Sequence, residues 1–175
     1  MSLATLTSSG RAAIVKAIRE RTLHLAWGAG LEEWDAEDAI LPGVVDRTAL
    51  FNEIGRRAVA TTSFCTTDLE GDIVIPVANE TSGAVSEVRY RLSEVPQPYL
   101  YIRINYDFGD AANSIIREMG LFMDTKVKEA VPAGQKYFTP GEIEDPGILL
   151  AMQLIKPTIN RSPSVRQSIE FVLPI

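Results

Sequence analysis

The chain has 175 residues, a formal net charge of −6 at pH 7 and a single cysteine. A chain of this length buries roughly 70% of its unfolded-state surface, so it can form a hydrophobic core without a metal or a disulfide. Cys65 has no partner inside the chain and is interpreted as a packed strand residue rather than a catalytic nucleophile. The acidic balance argues against a nucleic-acid-binding domain, which would show a basic surplus.

The N-terminal segment predicts one helix. Residues 7–9 offer N-cap oxygens ahead of RAAIVKAIRER, in which Ile14 and Ile18 lie one turn apart. The basic face of this helix is interpreted as solvated, with phosphate contact as the alternative. We expect the helix to end near Thr22, where TLHLAW begins to alternate as strands do. MSLATLTSSGR lacks a signal-peptide pattern, and the chain lacks the apolar run of a membrane helix, so we expect a soluble protein made in the cytoplasm.

The next segment, GAGLEEWDAEDAILPG, is strongly acidic and has carboxylates at Glu32, Glu33, Asp35, Glu37 and Asp38. A calcium loop would need a glycine and a terminal glutamate at fixed offsets, which are absent. The pattern therefore favours a surface loop or short helix over a metal site. Its charge complements that of the first helix, either within one subunit or between neighbouring subunits.

Strand patterns dominate from residue 46 onward. DRTALFNEIG is interpreted as a capped turn or short helix. Strands are predicted at RRAVATTSFCTT, at EGDIVIP (closed by Pro76), at VSEVRYRL and at PYLYIRINYDF. Imperfect alternation in VSEVRYRL predicts a bulge near Ser86 and Glu87. In PYLYIRINYDF one face is predicted to hold Leu100, Ile102, Ile104, Tyr106 and Phe108.

The stretch SIIREMGLFMD, residues 114–124, fits two periods. In a helix, Ile115, Met119 and Phe122 would share one face, whereas in a strand every second residue from Ile116 onward would do so. PAGQKYFTPGEIEDPG then predicts a turn-rich excursion, and GILLAMQLI and QSIEFVLPI predict two final strands.

These elements predict an α+β fold, mainly antiparallel β-sheet with one N-terminal helix and long surface loops. Helices do not alternate with strands as parallel βαβ units require. We predict a single domain over residues 1–175, with inserted segments around 31–45 and 125–146.

Candidate chemistry is sparse. His24 is the only histidine and cannot build a metal site alone, so it is interpreted as structural or surface-exposed. The GAG at residues 28–30 lacks the spacing of a phosphate-binding loop. We therefore expect a protein that is not an enzyme, with no catalytic residue, no cofactor and no metal site.

Four blocks occur in order along the chain: TSSGRAAIVKAI, LHLAWGAG, TALFNEIGRR and IREMGLF. Together they resemble the tail-collar fibre and tail fibre N-terminal domain family of bacteriophages. In that family a short helix leads into a strand with a glycine turn, followed by an LxNE segment with a nearby arginine and by IREIGLF in a strand. The resembling positions are Gly28, Gly30, Leu50, Asn52, Glu53, Arg56 and residues 116–122.

The resemblance implies a strand for IREMGLF and a structural motif formed by Asn52, Glu53, Arg56, Arg117, Glu118 and Gly120. In a strand, Arg117 and Glu118 point to opposite faces, so each needs a partner elsewhere. The predicted partners are Glu53 and Arg56, with an ion pair between Glu53 and Arg117. Gly120 would permit a close backbone approach or a bulge.

The resemblance also implies a function. The chain would be a structural component of a phage tail or baseplate that attaches or organises tail fibres in the virion. Its partners would be other tail, baseplate or fibre proteins, in several symmetric copies, with no nucleic acid and no membrane. The alternative is a carbohydrate- or ligand-binding β-domain. The segments 31–45 and 125–146 depart from the family pattern. We predict that at least one of the stretches Glu32–Asp38 and Lys126–Pro146 is ordered against another polypeptide in the assembled particle and is mobile in the isolated chain.

Overall fold

The computed structural model describes residues 4–78 and 85–175, and strands of antiparallel sheets dominate them. The helix α1 spans Ser8–Arg19, and short 3₁₀ turns span Glu32–Asp35 and Pro140–Glu142. The strands are β1 (Leu23–Gly28), β2 (Glu53–Ala58), β3 (Thr61–Thr67), β4 (Ile73–Ala78), β5 (Val85–Ser93), β6 (Tyr99–Tyr106), β7 (Ile115–Met123), β8 (Lys126–Val127), β9 (Tyr137–Phe138), β10 (Ile143–Asp145), β11 (Ile148–Asn160) and β12 (Gln167–Pro174). The predicted α+β class, mainly antiparallel with an N-terminal helix, is confirmed.

The chain divides into two compact units. The first consists of Met1–Glu20, Ala60–Arg103 and Glu170–Ile175, and the second of Arg21–Val59 and Ile104–Ile169. The single domain over 1–175 stays a prediction. Within the described ranges 4–78 and 85–175, no helix is long and apolar enough to cross a membrane.

In the first unit, α1 is capped as the sequence predicts. The side chain of Thr7 accepts a hydrogen bond from the Gly10 amide at 3.1 Å, and the helix ends at Arg19, three residues before the predicted end at Thr22. The helix packs lightly, because Val15 is its one buried residue and the Arg19 guanidinium lies 4.5 Å from the centre of the Phe64 ring. Most of the helix surface is therefore available to solvent.

The five-stranded sheet that contains the first unit's strands has the order β12-β6-β3-β5-β4. Cys65 is fully buried in a cluster with Tyr90 and Tyr101, as predicted for a packed strand cysteine, and burial raises the pKa of its thiol to about 11. The predicted bulge near Ser86 and Glu87 is wrong. β4 and β5 stay in continuous register from Ile73 opposite Tyr90 onward.

The second unit contains an antiparallel sheet with the order β11-β7-β1-β2-β9. IREMGLF lies in β7, which confirms the strand interpretation of this segment. β7 pairs with β1 on one side and β11 on the other, and residues 116–122 are all buried. A strand that is covered on both faces is apolar almost throughout. Its sequence therefore lacks the alternation of apolar and polar residues, and a helical period fits it as well.

Several predicted boundaries differ from the structure. RRAVATTSFCTT forms parts of two strands, β2 and β3, rather than one, and β2 already begins at Glu53 within the predicted turn or helix DRTALFNEIG. Pro76 lies inside β4 instead of closing it, and Phe108 lies beyond the end of β6 and is 44% exposed. The excursion at 125–146 contributes β8 to β10, of which β9 pairs with β2.

Candidate functional site: a buried polar junction

The sheet of the second unit brings the motif residues together around β1. Gly28 of β1 lies opposite Glu53 of β2 on one side and opposite Glu118 of β7 on the other. Ala26, two residues earlier, lies in the same way between Arg56 and Gly120. We call the group Asn52, Glu53, Arg56, Arg117, Glu118 and Gly120 the junction. Blocks that are far apart in the sequence are thus adjacent rows of one sheet.

Glu118 is fully buried and bound by backbone amides. Its carboxylate accepts hydrogen bonds from the amides of Asn52 at 2.8 Å, Phe51 at 2.9 Å and Gly30 at 3.3 Å. A Cβ atom at Gly28 would lie 2.2 Å from the Glu118 Oε1 atom, so the glycine leaves the space that the carboxylate occupies. Glu118 therefore holds two segments against β7: the glycine turn (residues 28–30) and the LFNE loop (residues 50–53). Asn52 takes part through its backbone amide.

Arg56 is the second centre of the junction, and its side chain is nearly fully buried. Its Nε and Nη2 atoms donate to the two carboxylate oxygens of Glu53 at 2.8 and 2.7 Å. Its Nη1 atom donates to the Thr125 hydroxyl at 2.7 Å and to the Pro146 carbonyl at 2.8 Å. The guanidinium also lies 3.7 Å from the centre of the Phe122 ring. Arg56 thus joins β2 to the start and the end of the excursion.

A β-bulge places Glu53 and Arg56 on the same face. Residues three apart in a regular strand point to opposite faces. Here Gly28 lies opposite Glu53 while Trp27 lies opposite Gly55, so Ile54 is an extra residue in β2. The bulge turns Glu53 toward Arg56 and makes their bidentate pair geometrically feasible.

The predicted ion pair between Glu53 and Arg117 is wrong. Arg117 donates instead to both oxygens of Asp35 at 2.8 and 2.7 Å and to the Ala29 carbonyl at 2.9 Å. Glu53 is occupied by Arg56, and Glu118 is bound by amides rather than by an arginine. The hydrogen bond from Arg117 lowers the pKa of the Asp35 carboxyl and raises the pKa of Arg117 itself.

Asp35 is the functional residue that sequence reasoning missed. It lies in the 3₁₀ turn Glu32–Asp35 of the acidic segment, directly after the buried Trp34. Gly30 allows this turn to approach, since its φ is +56° and a Cβ there would lie 2.3 Å from the Trp34 ring. The available signal was the apolar Trp34 within an exposed acidic run, but Trp34 has Glu33 on one side and Asp35 on the other and does not tell which carboxylate meets Arg117.

Arg161 is a further buried cation that the sequence did not single out. It donates to the backbone carbonyls of Asp107 at 2.8 Å and Val165 at 2.9 Å, and it lies 5.2 Å from the centre of the Trp27 ring. Trp27 in turn stacks on Tyr106 at 3.5 Å between ring centroids, and the Tyr106 hydroxyl donates to the Leu25 carbonyl. These contacts make the surroundings of β1 a packed polar and aromatic core.

His24 lies in this core beside Phe138, with ring centroids 5.7 Å apart. Its side chain is buried, and desolvation, reinforced by the positive charge of Arg56, lowers its pKa to about 4. Within residues 4–78 and 85–175, no group of three or more His, Cys, Asp or Glu residues is arranged to hold a metal ion. The contacts of His24 are those of a packing residue.

The lowered pKa of His24 predicts a pH-dependent stability. The unfolded state takes up a proton near the ordinary value of 6.5, but the folded state does so only near pH 4. Stability is therefore complete above pH 6.5, and up to about 3 kcal/mol of it is lost as the pH falls through this window. Urea unfolding of wild type and His24→Leu at pH 7, 5.5 and 4 measures the loss. Parallel pH profiles for the two proteins would contradict the prediction.

The arrangement can hold loops in place. Glu118 and Arg117 are adjacent in β7, and between them they fix the glycine turn, the LFNE loop and the 3₁₀ turn of the acidic segment. Buried, fully bonded polar groups of this kind favour one conformation over its alternatives.

The chain was compared with known protein families. A family model described as "Baseplate wedge 3 tail fiber network component" matches residues 3–175. A search of curated proteins finds no match. The family match confirms the predicted relation to phage tail-fibre proteins.

Proposed function

Because the chain belongs to the family of baseplate wedge 3 tail fiber network components, we propose that it attaches and organises tail fibres at the phage baseplate through protein–protein contacts, without catalysis. Membership of this family makes the chain a component of the baseplate's tail fibre network, and hence of the virion tail. The proposed partners are fibre proteins and other baseplate or tail proteins, bound to several symmetric copies of this chain.

One observation supports the proposal most directly: the acidic segment is fixed at one end and exposed at the other. Trp34 is buried and Asp35 is held by Arg117, whereas Ile40 is 95% exposed and Val45 is 92% exposed. Large apolar side chains presented to water on a fixed segment are typical of a contact surface. Arg117 of the junction holds the fixed end of the segment through Asp35.

The experiment is complementation of a phage that lacks this chain. Wild-type chain is expected to restore fibre-bearing particles, and the double variant Ile40→Asp with Val45→Asp is expected to fold but to leave particles without fibres. Leu69→Asp is the matched control, because Leu69 is also 95% exposed but lies outside the acidic segment. Electron micrographs count fibres per particle. Particles that carry full fibres in the absence of the chain would exclude the proposed role.

A further inference from the structure

A pocket of about 460 Å³ lies in the second unit beside the acidic segment, which we define as residues 31–45. Its walls are largely apolar and include Trp34, Leu41, Leu154, Ile155 and Pro157. The pocket exists because β11 leaves its register with β7. Leu154 lies opposite Glu118 and Ile159 lies opposite Ile116, so the four residues 155–158 of β11 correspond to one residue of β7, Arg117. Irregularities of this kind at sheet edges redirect side chains and often serve function.

The charged groups of the pocket determine what can occupy it. Arg117 is bonded to Asp35 and Ala29, and the Lys156 ammonium donates to the Ala36 carbonyl at 2.7 Å. Both cations therefore already have partners, which disfavours an anionic occupant. The remaining charges of the acidic segment are the exposed carboxylates Glu32, Glu33, Glu37 and Asp38. An apolar side chain flanked by cations fits this combination.

The helix α1 has those features. Its residues Ser8–Arg19 include Arg11, Lys16 and Arg19 and no carboxylate. Ile14 is 39% exposed, and Arg11 lies one turn before it on the same side of the helix. Leu41 in the pocket is 37% exposed, so neither apolar partner is fully covered in the single chain.

We propose that α1 of one copy inserts Ile14 into the pocket of a second copy, with Arg11 against the acidic segment. The occupant is a second copy of this chain because complementary charge and exposed apolar groups occur on two different surfaces of the same polypeptide. Such a contact is heterologous, and repetition of it gives a closed ring or an open chain of copies. This inference rests on the proposed use of several copies, and it names the surfaces that join them.

Sedimentation velocity of the full chain tests the contact in variants whose charges on the helix or beside the pocket are reversed. Wild type is expected to self-associate reversibly at low salt, and less so at high salt because the flanking charges are screened. The helix variant Arg11→Glu and the pocket variant Glu33→Lys with Glu37→Lys are each expected to associate at least about tenfold more weakly. A mixture of the two variants is expected to associate again, since the new carboxylate on the helix of one meets the new lysines beside the pocket of the other.

Two controls make the result specific. Glu94→Lys with Glu129→Lys changes the net charge by the same amount as the pocket variant at exposed sites outside the proposed contact, and it should associate as wild type does. Ile14→Asp should abolish association. A wild type that stays monomeric at low salt up to about millimolar concentration overturns the inference, as does a mixture that fails to recover. Association in solution together with fibre-bearing particles that lack the chain would overturn the proposed function alone.

Discussion

Replacing Glu118 with glutamine is expected to lower the free energy of unfolding by about 2–4 kcal/mol. The glutamine amide has one oxygen and one NH₂ group where the carboxylate has two acceptors. At least one of the backbone N–H groups of Gly30, Phe51 and Asn52 then faces the NH₂ group instead of an oxygen. That buried N–H group loses its hydrogen-bond acceptor. The loss should appear as a lower urea midpoint with an unchanged slope.

The matched control for this substitution is Glu144→Gln, at an exposed carboxylate on β10. Exposed substitutions of this type change stability by about 0.5 kcal/mol or less. Equal urea midpoints for Glu118→Gln and Glu144→Gln would show that Glu118 does not hold the glycine turn and the LFNE loop in place.

Arg56→Met is expected to destabilise the chain by about 3–5 kcal/mol, because it leaves the Glu53 carboxylate in a largely buried site without its cation. The Thr125 hydroxyl and the Pro146 carbonyl lose a donor at the same time, and Phe122 loses its stacked guanidinium. Thermal and urea unfolding measure the effect. Arg91→Met is the control: its pair with Asp68 is largely exposed, so it should cost about 1 kcal/mol or less.

A double-mutant cycle separates the ion pair from the other contacts of Arg56. Glu53→Gln with Arg56→Met should cost less than the sum of the two single changes, since the double variant leaves no unpaired charge. Strictly additive single effects would show that Glu53 and Arg56 do not stabilise each other.

The strands were largely predictable, because their pattern is local. β6 alternates between buried and exposed residues from Ile102 to Tyr106, and LHLAW lies in the strand β1 as predicted, although all six residues of β1 are buried. The choice between helix and strand at residues 114–124 was not decided by period alone, since β7 is buried on both faces and is apolar almost throughout. Only the resemblance of its IREMGLF block to a family strand favoured the correct structure.

The partners within the junction were not predictable from local pattern. The side of the sheet that Glu53 faces depends on the bulge at Ile54, and the neighbouring Gly55 is compatible with a bulge but does not fix which side that is. The partner of Arg117 depends on how the acidic segment folds back, which is set by Gly30 and Trp34 rather than by β7. The sequence blocks therefore predict which residues belong to the junction. They do not predict which of these residues pair, because pairing depends on strand register and on loop packing.

The hydrogen bonds of Glu118 also set an order of events during folding. They join residues that are 88, 67 and 66 positions apart, so each bond requires the closure of a long loop. The carboxylate stays hydrated until β1, β2 and β7 have met, because only then are its three amides in place. Arg117, its neighbour in β7, positions the acidic segment through Asp35 at the same stage. A partly folded chain therefore lacks the shaped acidic surface that the complete fold presents.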